Sequence, residues 1–289
     1  MRRFTVSMVV LVLLSVSPLV AQWPARATVD GPRRADGTLN LDAPPPRTAD
    51  GRIDFSGVWV GPGFCLGDRW TIEPNSGAKP VDPQARMMNF NGESIPWAVC
   101  FDVGSNIKGG APMQPWAAAL RRQRMDDRLV DSPQAHCLPM GHVQLWLNQQ
   151  PREIVQTPRQ VVMLWEANQG VRRVFTDGRT PPDSDAQPWW YGYSTGTWDG
   201  DTFVVTTTHI RDGQWLDING TPLTGQARLV ERMRRPSFGT LDIAITIDDP
   251  GAFTQPFTVG VRQQLSPGDD LIEFICNENE QSSKHYVRR

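Results

Sequence analysis

Short runs of alternating apolar and polar residues fill the chain from residue 152 onward. They predict strands at 153–157, 160–167, 171–177, 194–198, 201–210, 226–234, 240–248, 257–265 and 271–277. Turn residues separate these runs, and Asp199-Gly200 suits a two-residue hairpin. Successive hairpins predict an antiparallel meander, whose edges are best protected when the sheet closes on itself. We therefore predict a mainly β fold, either a closed barrel or a strongly curled sheet.

The first half of the chain has a less regular pattern. An apolar segment at 53–60 predicts a first strand. The segment 115–130 predicts one helix before the meander, because Pro115 suits a first turn and apolar residues recur at helical spacing. Residues 28–52 are rich in Pro and Gly, and we interpret them as an extended, poorly packed lead-in that acts as a linker. The pattern thus predicts one β-rich domain over 53–289, with a loop-rich first third.

An export signal is predicted at residues 1–21. Two arginines precede an apolar run at 5–20, and small residues follow it. The run is shorter than the roughly 20 residues that a membrane-spanning helix needs. We expect cleavage after Ala21, or alternatively after Ala27, which gives a bacterial periplasmic or secreted protein with no membrane insertion after cleavage.

Composition and charge narrow the classes of function. Hydrophobic residues make up 39% of the 289 positions, which excludes disorder throughout the chain. The 29 Lys and Arg nearly balance the 31 Asp and Glu, so no overall field attracts a nucleic-acid backbone. Eleven Trp against three Tyr suit packed β-structure or a ligand cavity. We therefore expect no nucleic-acid partner.

The chain contains four cysteines, an even number in a protein that we expect to be exported. Oxidised pairs are the usual state in such a compartment. Three pairings are possible, and we favour Cys65 with Cys100 and Cys137 with Cys276. The second pair would join the start of the regular region to its last predicted strand.

Metal binding is the alternative role for one of these cysteines. His136, Cys137, Met140 and His142 lie close together in sequence, and sulfur with imidazole can hold copper. Their spacing matches no zinc signature. We favour the disulfide and predict neither a metal nor another cofactor.

Strand alternation places three charged residues, Glu166, Arg173 and Glu231, on faces that they share with apolar neighbours. Glu166 and Arg173 flank a short turn and could meet across a hairpin. Glu231 has no partner nearby in sequence, and unpaired burial would raise its pKa and tune it as a general acid or base. We take the three as candidate catalytic residues of one interior pocket; a structural ion pair is the alternative.

Several aromatic and polar residues are candidates for ligand contact. Gln263 and His209 also fall on apolar strand faces, and a dense aromatic segment follows Pro188. Aromatic rings at a barrel mouth would suit sugar rings, aromatic ligands or a lid, and a hydrophobic plug is the alternative. The candidate ligand-binding residues are Trp59, Gln263, His209, Trp189, Trp190 and Tyr193.

Seven segments together resemble a large family of exported bacterial proteins that is functionally uncharacterised. They are PWAAAL at 115–120, CLP at 137–139, EIVQTP at 153–158, RRVFTDGR at 172–179, WDGDT at 198–202, IDDP at 247–250 and ICNENE at 275–280. The resemblance covers about residues 115–285 and implies export but no reaction. The chain departs from the family at Gly192-Tyr193-Ser194, where Gly-His-Ser is expected, and at Leu223-Thr224-Gly225, where His-Ser-Glu is expected. Chemistry that depends on those histidines is not carried over.

The segment Gly57-Val58-Trp59 is also similar to the Gly-x-Trp signature of lipocalin-like barrels. That resemblance implies a calyx for small apolar ligands, with Trp59 closing one end.

We therefore expect an exported protein that holds a small apolar, aromatic or glycosidic ligand in a barrel cavity. The first alternative is an isomerase, lyase or hydrolase that uses Glu231, Glu166 and Arg173, since the chain has no Gly-x-Ser-x-Gly elbow and no phosphate loop. The second is an interaction module of the cell envelope that uses the Pro-rich first third.

Overall fold

The computed structural model describes residues 30–61, 86–99 and 101–278. The strands are β1 Gly57–Val60, β2 Met87–Phe90, β3 Glu93–Pro96, β4 Arg152–Gln156, β5 Gln160–Trp165, β6 Gly170–Phe175, β7 Tyr193–Asp199, β8 Thr202–Thr208, β9 Gln214–Trp215, β10 Pro222–Leu223, β11 Arg228–Ser237, β12 Thr240–Asp248 and β13 Phe257–Leu265. The helices are α1 Pro115–Asp126 and α2 His142–Leu147, with 3-10 turns at Pro133–His136 and Ala167–Gln169.

Nine strands form a closed barrel in the order β1-β13-β12-β11-β8-β7-β6-β5-β4, and β4 pairs with β1 to close it. The predicted mainly β, barrel-like fold is therefore confirmed. The pattern missed the hairpin β2–β3 and helix α2, and the predicted strand at 271–277 is wrong because that segment has no ladder partner. Each missed element is only four to six residues long, too short to show a periodic pattern.

One neighbouring pair, β6 and β7, departs from the antiparallel meander because its strands are parallel. They pair only at Val174 with Ser194 and at Phe175 with Thr195. Residues 176–192 therefore carry the chain back along the outside of the barrel from the end of β6 to the start of β7. Beside the first half of β6 the sheet is left open.

The barrel interior is filled by side chains rather than empty. Inward positions include Trp59, Met163, Val205, Leu229 and Ile243, all of them fully buried. Such interdigitated packing is typical of a protein core. The barrel therefore encloses a packed core over most of its length.

The barrel has two ends with different coverings. We call the end with the turns at 157–159, 200–201 and 238–239 the hairpin end. The lead-in covers it: the amide of Phe238 donates to the carbonyl of Ala43 at 2.7 Å, and Ala43 is buried. The main chain at 41–43 is bonded to the barrel, so the lead-in is not a free linker. Most residues from 30 to 52 are nevertheless exposed, as the interpretation of poor packing predicts.

We call the opposite end, with residues 166–169, 189–193 and 249–256, the mouth end. Helix α2 lies across it with all six residues buried. Gly141, just before the helix, fits only without a side chain, because a Cβ there would lie 1.8 Å from the carbonyl oxygen of Trp215. This contact lets the helix press close enough to the barrel to insert its side chains.

A disulfide fixes the same end. Cys137 and Cys276 are bonded, with their Cα atoms 5.5 Å apart, as the sequence predicts. The bond uses the sulfur that the copper alternative required, so that alternative is wrong. Cys65, Cys100 and the signal at 1–21 lie outside the described residues.

The described helices are all short. In residues 30–61, 86–99 and 101–278, none has the length and apolar character that crossing a membrane requires.

Candidate functional site

Glu231 lies inside the barrel, fully buried on the inward face of β11. The indole Nε1 of Trp146, on helix α2, donates to its Oε1 at 2.6 Å. The guanidinium of Arg172, on β6, donates to the same oxygen from Nη1 at 3.0 Å and to Oε2 from Nη2. Alternation along β11 thus predicted the direction of Glu231, but its partner comes from a strand far away in sequence.

These contacts decide the charge of the buried groups. Burial by itself would raise the pKa of Glu231, but the positive charge of Arg172 and its hydrogen bonds to the carboxylate outweigh burial and hold the pKa well below its usual value. For His142, burial and the positive charge of Arg172 lower the pKa. Glu231 is therefore ionised beside a neutral imidazole. The prediction of a raised pKa, which would make Glu231 a general acid, is wrong because the carboxylate is not unpaired.

His142 comes from the first position of α2 and is also buried. Its Nε2 lies 3.4 Å from Oε2 of Glu231, longer than a well-formed hydrogen bond. Its Nδ1 has no hydrogen-bond partner among the described residues.

Arg173 points out of the barrel, and its neighbour Arg172 occupies the interior position. On β6 the buried residues are Gly170, Arg172 and Val174, whereas Arg173 is exposed. The predicted inward direction of Arg173 is wrong because alternation gives the period of a strand but not which phase faces the core.

Glu166 lies just past the end of β5 and does not belong to the same cluster. One of its oxygens accepts the amide of Ile272 at 3.1 Å and the other the side-chain amide of Gln150 at 3.5 Å. It holds the C-terminal segment against the mouth end. The expected single pocket of Glu231, Glu166 and Arg173 is therefore wrong, because only Glu231 reaches the interior cluster.

Arg172 also connects the interior to the opening beside β6. Its Nε donates to Oγ of Ser194 at 3.0 Å, and its Nη2 donates to Oγ1 of Thr207 at 2.8 Å. The two hydroxyls are 2.9 Å apart. Nη1 also donates to Sδ of Met163 at 3.8 Å, so the guanidinium is fully occupied by Met163, these hydroxyls and Glu231.

A cavity of about 550 Å³ fills the opening between β6 and the loop before β7, and we call it the mouth pocket. Five aromatic residues line it: Phe175, Trp189, Trp190, Tyr191 and Tyr193. Arg172, Arg173 and Ser194 line it as well, so its wall includes part of the interior network. Cavities of this size hold small organic molecules.

The aromatic side chains are fixed by contacts with one another. The ring of Tyr193 lies 5.3 Å from that of Phe175 and 5.7 Å from that of Trp189. Tyr191 stacks on Trp165 inside the barrel, with 6.2 Å between ring centroids. These distances are those of ordinary aromatic pairs, so the rings form a preorganised wall.

Tyr191 carries a polar atom without a partner. Its hydroxyl is buried and makes no hydrogen bond to the described residues. Burial raises the pKa of Tyr191 to about 12, so the hydroxyl stays protonated near neutral pH. The hydroxyl is enclosed beside Gly170, where an added Cβ would lie 2.8 Å from its oxygen.

The predicted ligand-contact residues fall in three places. Trp189, Trp190 and Tyr193 line the mouth pocket. Trp59 and Gln263 are fully buried in the barrel, where the indole donates to the carbonyl of Phe55 at 2.9 Å.

His209 does not point inward, contrary to its strand parity. β8 ends at Thr208, and a φ of 54° at His209 turns the side chain toward the loop, where its Nε2 lies 2.9 Å from the carbonyl oxygen of Asp183. The backbone turn is the reason that the prediction is wrong.

Gln263 supports helix α2 from inside the barrel. Its Nε2 donates to the carbonyl of Trp146 at 2.9 Å, and its Oε1 accepts from Arg152. Arg152 is fully buried without a carboxylate partner, and burial lowers its pKa to about 9. It donates to carbonyls at 146–150, so both residues fix the helix that presents Trp146 and His142.

Sequence reasoning did not single out Arg172 or Arg152; it named His142 only in the copper alternative and included Tyr191 only in the aromatic segment after Pro188. A signal for Arg172 was present, because two adjacent arginines in a strand must face opposite sides. His142 lies in a six-residue helix without a detectable period, so nothing in the sequence placed it beside Glu231.

No group of three or more His, Cys, Asp or Glu residues in the described part of the chain is arranged to hold a metal ion. No family model, curated protein or solved structure matches this chain.

Proposed function

We propose that this protein is an exported binding protein for small aromatic molecules and that the ligand occupies the mouth pocket. The observation that supports the proposal is the lining of a cavity of about 550 Å³ by five aromatic side chains. The barrel interior is filled by core residues, so the mouth pocket takes the place of the interior cavity expected from the sequence.

An aromatic ligand suits the pocket better than an aliphatic chain or a sugar without an aromatic group. The rings of Tyr193 and Trp189 are tilted against each other and line the pocket, where another ring can pack on them. Such contacts contribute about 0.5 to 1.5 kcal/mol per pair beyond the buried area. A flat ring gains several of them at once.

Intrinsic Trp fluorescence tests the proposal, because two Trp side chains line the pocket. The protein is titrated with 2-naphthol, 1-octanol and methyl β-glucoside. We expect saturable quenching by 2-naphthol and weaker or no saturation with the other two. Saturation by octanol or the glucoside alone would contradict an aromatic ligand, and no saturation by any probe would contradict the binding function.

A matched pair of variants locates the site. Trp189 is 44% exposed in the pocket, and Trp116 is 47% exposed on α1, outside the pocket lining. Trp189→Ala is expected to weaken 2-naphthol binding about tenfold, the effect of losing a well-packed aromatic contact. Trp116→Ala is expected to leave it unchanged. Equal effects of the two variants would place the site elsewhere.

A further inference from the structure

The charged side chains that line the mouth pocket are all positive. Its lining contains two arginines and no Asp or Glu. One of them, Arg172, is neutralised by the buried carboxylate of Glu231. The charge of the lining therefore depends on Arg173.

Arg173 has no carboxylate partner among the described residues. Its Nε donates to the amide oxygen of Gln160 at 3.3 Å, and its guanidinium carbon lies 5.0 Å from the centre of the Phe175 ring. The nearby carboxylate of Asp177 is bound by Arg179 at 2.6 Å. The contact with Phe175 keeps the Arg173 cation beside the aromatic residues of the pocket. The guanidinium N–H groups that do not bond to Gln160 remain available to another acceptor.

The lining gives Arg173 no competing negative charge, because it contains no Asp or Glu. An exposed cation beside aromatic rings favours a ligand that combines a ring with negatively charged oxygen acceptors.

We infer that the ligand of the mouth pocket is an aromatic carboxylate, with its ring against Trp189 and Tyr193 and its carboxylate paired with Arg173. This inference rests on the proposed binding function and adds the charge of the ligand. Arg173 is then a specificity-determining residue, which selects the acid over a neutral molecule of the same shape. An arginine suits the role because its planar fork can donate two parallel hydrogen bonds to a carboxylate.

The test uses two probes that share a ring system, 2-naphthoate and 2-naphthamide. Dissociation constants are measured by Trp fluorescence at pH 7.5 for the wild type and for Arg173→Gln. We expect the wild type to prefer the acid by about tenfold or more, the range of a charge-assisted hydrogen bond. Arg173→Gln should remove this preference while naphthamide binding changes less than about twofold.

Two more variants separate charge from packing. Arg173→Lys keeps the charge and should retain part of the preference, because an ammonium cannot form the bidentate pair. Arg122→Gln removes the same charge from the exposed side of α1 and should change nothing, which controls for the overall field.

The outcomes distinguish the two proposals. If the wild type binds neither probe, the proposed binding function fails. If it binds both equally, the function stands and the inference about charge is overturned. The inference is also overturned if Arg173→Gln weakens both probes to the same extent, since that result would mean Arg173 only packs against Phe175.

Discussion

The two ends of the barrel are closed with different chemistry. At the hairpin end, Phe55 and Trp59 fill the interior, and the buried guanidinium of Arg235 lies 4.8 Å from the centre of the Trp59 ring. Arg235 donates to the carbonyl of Phe238 at 2.6 and 3.1 Å and to that of Asp54 at 2.5 Å. Main-chain oxygens therefore satisfy the polar group at this end.

At the mouth end, the buried groups are an ion pair and its neighbours. Glu231 and Arg172 bind each other, but Nδ1 of His142 and the hydroxyl of Tyr191 make no hydrogen bond to the described residues. Each unmet buried polar group costs about 1 to 3 kcal/mol. The buried polar groups are therefore satisfied at the hairpin end, whereas the mouth end keeps two of them without a hydrogen bond to the described residues.

Removing Trp59 is expected to have the largest effect at the hairpin end. Trp59→Ala leaves a large cavity, removes the donor to Phe55 and exposes Arg235 to an empty space. The free energy of unfolding should fall by about 5 kcal/mol, the upper end for an aromatic lost from a core. Urea denaturation measures it. A free energy of unfolding close to that of the wild type would show that Trp59 is not part of a tightly packed core at this end.

Separating the ion pair should have a slightly smaller effect at the mouth end. Arg172→Met leaves the Glu231 carboxylate buried without its cation, which costs about 3 to 5 kcal/mol. The double change Arg172→Met with Glu231→Leu should recover most of the loss, because no charge remains to be buried. Urea denaturation of both variants measures these changes.

The matched control for this experiment is Arg173→Met. The Arg173 side chain is exposed on the outside of the same strand, so its loss should change the free energy of unfolding by less than about 0.5 kcal/mol. If Arg173→Met costs as much as Arg172→Met, the assignment of the two faces of β6 is incorrect.

The smallest predicted effect is a dependence of stability on pH that belongs to the mouth end. His142 has a lowered pKa in the folded protein, so below its ordinary value of 6.5 the unfolded chain binds a proton that the folded one does not. The stability that this group contributes is present above pH 6.5 and is lost as pH falls, by at most about 1.4 kcal/mol per pH unit. Glu231, also lowered, adds a loss of the same sign below its ordinary pKa of 4.5.

The variant His142→Gln tests this assignment. It removes the titrating imidazole and should flatten the fall in stability between about pH 6.5 and 5, while the loss below 4.5 remains. Urea denaturation across this range measures it. An unchanged slope in His142→Gln would assign the dependence to other groups.

The sequence by itself determined the barrel and part of its interior. Alternating strands separated by turn residues at 200–201 and 238–239 predict an antiparallel sheet. The two edge strands of such a sheet have unpaired backbone N–H and C=O groups, which are satisfied when the sheet closes into a barrel. On β11 it also placed Glu231 inside, because apolar neighbours at Leu229 and Met233 leave only one face that can be buried.

Only the tertiary structure decided which residues form the site. On β6 both faces carry apolar residues, and the loop 176–192 covers Phe175 from outside, so the pattern could not tell the Arg172 face from the Arg173 face. Helix α2 is too short to carry a period and is buried on all sides by its position on the barrel. The parallel pairing of β6 with β7 leaves the opening that forms the mouth pocket. This pairing depends on the point of the barrel at which the connection 176–192 brings the chain back into the sheet. Local sequence sets the period of each element, whereas what covers each face is set by distant segments that meet only when the chain has folded.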